Sequence, residues 1–315
     1  MNILSKNIFA LLILQGSNYI IPLVTFPYLA KILQVESFGY YGLIFAITQY
    51  LVLFIDFGYN LSASKRIVEA KNNNIKISKI FFQTIIAKSI LSLFVLLLVF
   101  LYHFLSESHL SNLIIFSSFQ IIGTVLFPIW FFQGIEKMKL ITVASISGKL
   151  LTLPWIFVFV KNSEDLDIAI FLQSISYFTT GIISLILIYS YKIISLVKVS
   201  FCDIKKSYLD SYQIYIAGLA ISLYSISTPI IIKTFSSIEQ VGFFTGADKL
   251  KSAGLGIFLI MGHALYPRVN NLFSESRVKA FAFVRKIIFI SRLDYYFCID
   301  FGLYLCRRNN KVNSR

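Results

Sequence analysis

Lysines stand where lysine is expensive. Lys88 and Lys149 lie well inside long apolar stretches, and Asp248, Lys249 and Lys251 crowd the first part of another. An ionised side chain at the centre of a bilayer costs roughly 2.5–3.5 kcal/mol, so Lys88, Lys149 and Lys249 left unpaired in hydrocarbon would together cost about 8–10 kcal/mol. Such groups must face a wet interior or find partners. An ammonium on a flexible stem holds phosphate without demanding one geometry, so a hollow lined by these lysines would suit a phosphorylated headgroup. Lys88 has the alternative of snorkelling toward an interface, and Lys149 that of a plain structural pairing. Asp248 and Lys251 are three apart on one helix face and are expected to form an intrahelical ion pair, leaving Lys249 free.

Two further polar groups bear on the same interior. Gln15, Asn18 and Tyr19 fall on one face of the first apolar stretch, where they line the hollow or hydrogen-bond a neighbouring helix. Asp56 closes the second stretch, beside Gly58 and near Lys65 and Arg66. It reads either as a helix-end ion pair or as part of a gate, with Lys65 and Arg66 as its companions, or as a site coupled to protonation.

These residues must be positioned by helices that cross a membrane. Of the 315 residues, 57% are hydrophobic and only 14% charged, against about a quarter charged in a soluble chain. The sequence predicts an all-α, polytopic integral membrane bundle. A bilayer core needs about 20 apolar residues in a helix, and the candidates are 7–30, 38–57, 80–102, 112–133, 140–160, 168–189, 212–235 and 241–266. A poorer ninth begins near Ile287, giving eight to nine spans. The net charge of +14 belongs to topology rather than to nucleic acid. Lys65, Arg66, Lys71, Lys76 and Lys79 fall in one set of connections, with Lys137, Lys139, Lys192, Lys198, Lys205, Lys206, Arg268, Arg277, Lys279, Arg285 and Lys286, and the other set holds little beyond Lys31 and Lys161. That asymmetry predicts a cytoplasmic N-terminus.

An internal repeat is visible. Val35-Glu36-Ser37-Phe38-Gly39-Tyr40-Tyr41 and Ile238-Glu239-Gln240-Val241-Gly242-Phe243-Phe244 share the order aliphatic, Glu, polar, apolar, Gly, aromatic, aromatic. The copies are six spans apart, which keeps their orientation and predicts a parallel repeat. The unit is then six helices. Residues 1–200 form a six-helix bundle, 201–290 part of a second, and 291–315 a polar tail. Asp294, Asp300, Arg307 and Arg308 make that tail a poor span, and the expectation is a reading frame that departs from its ancestral one near Ser291.

Several motifs carry a resemblance. Leu14-Gln15-Gly16-Ser17-Asn18-Tyr19, Pro22-Leu23-Val24-Thr25-Phe26-Pro27-Tyr28-Leu29, Phe38-Gly39, Gln49-Tyr50 and Asp56-Phe57-Gly58-Tyr59-Asn60-Leu61-Ser62-Ala63 resemble the N-terminal signature of bacterial polysaccharide flippases. These are the O-antigen repeat-unit translocases of the multidrug/oligosaccharidyl-lipid/polysaccharide exporter superfamily. Trp130-Phe131-Phe132-Gln133-Gly134, Gly242-Phe243-Phe244, Asp248-Lys249-Leu250 and Ala264-Leu265-Tyr266-Pro267-Arg268 are similar to later motifs of that family. The resemblance covers about residues 5–290. It implies two six-helix bundles, the second incomplete here, around a central cavity in the bacterial inner membrane. It also implies a lipid-linked oligosaccharide on undecaprenyl pyrophosphate as cargo, with membrane lipid and other glycan-assembly membrane proteins as partners. Alternatives are an integral-membrane enzyme of the same glycan pathway and an inactive truncated flippase.

Enzyme chemistry finds little support in the residues. The carboxylates are scattered, and Glu164, Asp165 and Asp167 cluster in a short connection without a histidine, reading as a solvated turn. No Gly-rich nucleotide loop is present. No cofactor is expected, and coupling to a proton or sodium ion is left open. Cys202, Cys298 and Cys306 form no C-x-x-C pair, so no disulfide framework or zinc site is suggested.

Overall fold

The computed structural model describes residues 3–70, 73–106, 108–192, 194–252 and 254–256, with isolated positions near 283. The chain divides into two units, Met1–Ile257 and Phe258–Arg315, and the helices over 3–252 belong to the first. The last part of the expected eighth span, the ninth, the tail from 291, His263, Cys298 and Cys306 lie outside the described residues.

The described residues are mostly helical, with no strand among them. In order they form α1 (Ile3–Ile32), α2 (Gln34–Asp56), α3 (Tyr59–Glu69), α4 (Asn74–Leu105), α5 (His109–Phe116), α6 (Ser118–Leu126), α7 (Ile129–Gly134), α8 (Met138–Phe159), α9 (Leu166–Ser190), α10 (Phe201–Ser225) and α11 (Thr228–Phe235). A further helix, α12, runs over 238–252. Among the described residues, five helical runs are long and apolar enough to cross a membrane, six with the bent pair α10–α11 counted as one. This is an all-α, multi-pass membrane protein. Lipid-facing character is clearest on α4, where Leu93, Leu97, Phe100 and Phe104 are exposed.

Two of the expected spans, the fourth and the seventh, are not single helices, and the second ends at a break. At Phe57–Gly58, between α2 and α3, two successive residues adopt left-handed φ of 42° and 75°. Gly58 is the residue suited to that geometry. A side chain there would also meet the Ser211 carbonyl of α10 at 2.9 Å. Phe57 takes the same conformation without that freedom, at a typical cost of about 1–3 kcal/mol. Its ring stacks on Tyr215 at 4.5 Å and meets Tyr208 edge-on. The fourth span is divided into α5, α6 and α7, and Pro128 ends the regular hydrogen bonding before α7. The seventh bends by 50° between α10 and α11, with Pro229 in the first turn of α11. Pro22, Pro27 and Pro154 lie within continuous helices.

Two large clusters of buried apolar residues hold the bundle together. Near the lysine-rich connections, Tyr59, Ile67, Phe81, Trp130, Phe131 and Phe132 form one buried cluster. Toward the other end, Leu33, Phe38, Tyr41, Leu113, Val160 and Leu166 belong to a second. α9 packs most extensively on α6 and α8.

The two copies of the seven-residue repeat touch each other. A Cβ on Gly39 would lie 2.2 Å from the Ile238 carbonyl oxygen, and one on Gly242 2.3 Å from that of Val35. Val35 and Ile238 hold the first place of the motif and the two glycines the fifth, so each copy offers the same atoms to the other. Three residues on, a Cβ at Gly42 would meet Thr245, its own counterpart, at 2.1 Å. A local two-fold relation produces this kind of reciprocal contact. It also requires glycine, because the backbones approach within the space a methyl group would fill.

Candidate functional site

Among the helices lies a cavity of about 660 Å³. Its wall takes residues from α1, α2, α3, α4, α6, α7, α8, α9 and α12. Lys88, Lys149 and Lys249 all line it, with Asn18, Asp56, Asn60, Gln133 and Gln173. Most of the remaining wall is apolar or hydroxyl-bearing, as in a ligand site where few polar groups fix orientation.

The three ammonium groups are held in different ways. Lys88, on α4, is only 1% exposed, and its Nζ donates to Asp56 Oδ1 at 2.7 Å. Asp56 is the last residue of α2, and its other oxygen accepts from Asn60 Nδ2 in the first turn of α3. Lys88 Nζ also donates to the Thr124 carbonyl at 3.3 Å. That carbonyl is available for two reasons: α6 ends two residues later, and Pro128, four residues on, has no N–H to offer. A cation at a helix C-terminus further suits the local dipole.

Lys149, on α8, donates to Asn18 Oδ1 of α1 at 2.5 Å. Lys249, on α12, sits over two rings, 4.7 Å from the centre of Phe26 and 4.3 Å from that of Phe45. Among the described residues neither lysine forms an ion pair with a carboxylate. Asp248 and Lys251 do pair, at 2.6 Å, so Lys249 is left to the aromatic cradle. The lysines and Asp56 on the wall therefore carry a net charge of +2, three ammonium groups less one carboxylate.

The remaining sequence candidates separate. Asn18 reaches the cavity wall, whereas Gln15 is exposed and does not line it. Tyr19 belongs to α1, and its side chain lies outside the described residues. Asp248 and Lys251 do not line the cavity. Asp56, Lys65 and Arg66 are not brought together. Lys65 is exposed and pairs with Glu69 at 4.0 Å. Arg66 reaches across to α10, 3.8 Å from Asp210 and 3.2 Å from Ser207 Oγ. Lys79 and Asp203 make a second such tie at 2.8 Å, and the Ser62 and Ser211 hydroxyls a third at 2.5 Å.

Sequence reading missed several wall groups. Asn60, Gln133 and Gln173 are uncharged and carry no strong penalty at membrane depth. Thr124 could have been found, because a proline four residues ahead frees its carbonyl. The cradle of Phe26 and Phe45 left no signal, since these rings come from different helices and aromatics are frequent throughout.

Comparison with known proteins fits this picture. A family model described as "Polysaccharide biosynthesis protein" matches residues 4–273. The chain belongs to this family. A relative named "Putative O-antigen transporter" from Escherichia coli (strain K12) is 34% identical over 285 residues, covering 90% of this chain and 69% of the relative. A protein of the same name from Shigella dysenteriae is 32% identical over 290 residues, covering 91% and 73%. No solved structure matches the chain.

Proposed function

We propose that this protein carries an undecaprenyl-pyrophosphate-linked oligosaccharide, an O-antigen or similar repeat unit, from the cytoplasmic to the periplasmic leaflet of the bacterial inner membrane. Family membership and the name its relatives bear support a part in polysaccharide export. The specific cargo rests chiefly on one observation: the cavity presents two ammonium groups, Lys149 and Lys249, that no carboxylate neutralises among the described residues. A pyrophosphate is a compact multiple anion that lysines bind as point charges. Asn18 holds Lys149, and the two phenyl rings hold Lys249, without cancelling either charge. The polyprenyl tail would remain in lipid beside the exposed apolar helix faces. Transport would proceed by alternating access, one group of helices rocking against the other about the cavity, with the N-terminus and the lysine-rich connections in the cytoplasm.

The test is complementation of a flippase-null bacterium, with surface glycan measured by antibody or lectin binding and membrane insertion followed by immunoblot. The chain should restore glycan. Lys149→Ala and Lys249→Ala should each lower it about tenfold or more, the loss expected when a hydrogen bond to a charged group is removed, at equal protein level. No restoration by the chain, or unchanged glycan in both variants, would overturn the reading.

A further inference from the structure

We propose that Lys88 is a positioning residue rather than an anion ligand. Asp56 silences its charge, and the pair pins the break between α2 and α3 that holds Phe57 against α10. The part of this that concerns anions rests on the function proposed above. The part that concerns the break does not.

Lys88 is the most enclosed of the three cavity lysines, 1% exposed, and two of its donors are already committed. One goes to Asp56 Oδ1, the other to the Thr124 carbonyl that α6 and Pro128 leave free. Asp56 is equally engaged, accepting from Lys88 on one oxygen and from Asn60 on the other. The carboxylate therefore spans the break. It is fixed to α2 by its own backbone, to α3 through Asn60 and to α4 through Lys88. In the break itself stands Phe57, in a left-handed conformation that a phenylalanine seldom takes, with its ring against Tyr208 and Tyr215. Holding that strained residue requires surroundings that over-determine it. The Asp56 pairings supply them from the cavity side and the α10 aromatics from the other.

An ion pair enclosed in this way contributes little net charge to the hollow. A pyrophosphate that took Lys88 would leave Asp56 unpaired beside it, a buried charge of the same sign. Lys149 and Lys249 carry no such obligation.

The experiment uses the purified full chain in detergent micelles and compares wild type, Asp56→Asn, Lys88→Met, the double variant D56N/K88M, and Lys149→Ala. Binding of a short polyprenyl pyrophosphate is titrated, and melting is followed alongside. Asp56→Asn should raise affinity about fivefold or more, because it uncovers a third cavity ammonium. A purely structural role would not produce a gain. Lys88→Met exposes Asp56 and should lower both affinity and melting temperature. The double variant should bind within about twofold of wild type and melt above Lys88→Met, the non-additive pattern of a coupled pair. Lys149→Ala should lose affinity about tenfold or more while keeping its melting temperature.

A double variant that loses as much affinity as Lys149→Ala would make Lys88 an anion ligand and overturn the proposal. So would additive losses of melting temperature in the double variant. If wild type binds no polyprenyl pyrophosphate, the proposed cargo falls with it, and the melting cycle alone decides whether the pair pins the break.

Discussion

Three lysines on the wall of one cavity end in three different environments, and the difference lies in what each neighbour can accept. Asp56 takes the charge of Lys88, an amide oxygen orients Lys149, and two ring faces attract Lys249 through their quadrupoles. A separate carboxylate shows how far local hydrogen bonding alone can hold charge. Asp165, in the turn before α9, accepts the N–H groups of Lys161 and Asn162, each at 2.8 Å. These bonds hold its pKa below the usual carboxylate range. Its folded value is thus depressed, so the stability it lends is complete above the unfolded value of about 3.9 and is lost as pH falls through the folded one. Asp165→Asn should lower the melting temperature slightly at neutral pH, and the gap between variant and wild type should close under strongly acidic conditions. A gap independent of pH would contradict this account.

At the level of elements, the breaks are as informative as the helices. The bend between α10 and α11 is held by a residue of another helix: Tyr50 of α2 places its hydroxyl 2.9 Å from the Ser222 carbonyl and 2.5 Å from Ser227 Oγ. Ser227 stands at the N-terminal boundary of α11, two residues before Pro229. A hydroxyl that reaches both sides of a bend resists its straightening. Tyr50→Phe removes that link while keeping the ring, and should cost about 1 kcal/mol of stability, read as a lower melting temperature in detergent. If the bend moves during transport, glycan export should fall by more than that small loss of stability explains. Unchanged melting and export would mean the hydroxyl bonds are incidental.

For the whole molecule, the contact between Gly39 and Gly242 ties the beginning of α2 to α12. A methyl group at either glycine would overlap a backbone carbonyl at 2.2–2.3 Å, and a backbone cannot swing aside as a side chain can. Gly39→Ala and Gly242→Ala should each destabilise by about 1–3 kcal/mol, the usual cost of overpacking, with similar melting losses because the contact is reciprocal. A large loss at one glycine and none at the other would argue against equivalent repeats.

Much of the fold was legible from the residues alone. Length and apolar content of each stretch located helical segments, since a backbone in lipid must satisfy its hydrogen bonds internally, but they did not show the breaks within the fourth and seventh stretches. The expense of ionised groups at depth singled out Lys88, Lys149 and Lys249 before any contact was known, and spacing alone paired Asp248 with Lys251. The companionship of Asp56 was not legible. Lys65 and Arg66 are near it in sequence, yet Lys88 is its partner, because the turn at Phe57–Gly58 directs Asp56 inward while α3 carries Lys65 and Arg66 away. Which lysine keeps a free charge is likewise decided by residues remote in sequence, Asn18, Phe26, Phe45 and Thr124, brought within a few ångströms only when the helices pack. Sequence settles what a side chain costs in the membrane, whereas tertiary structure settles what meets it there.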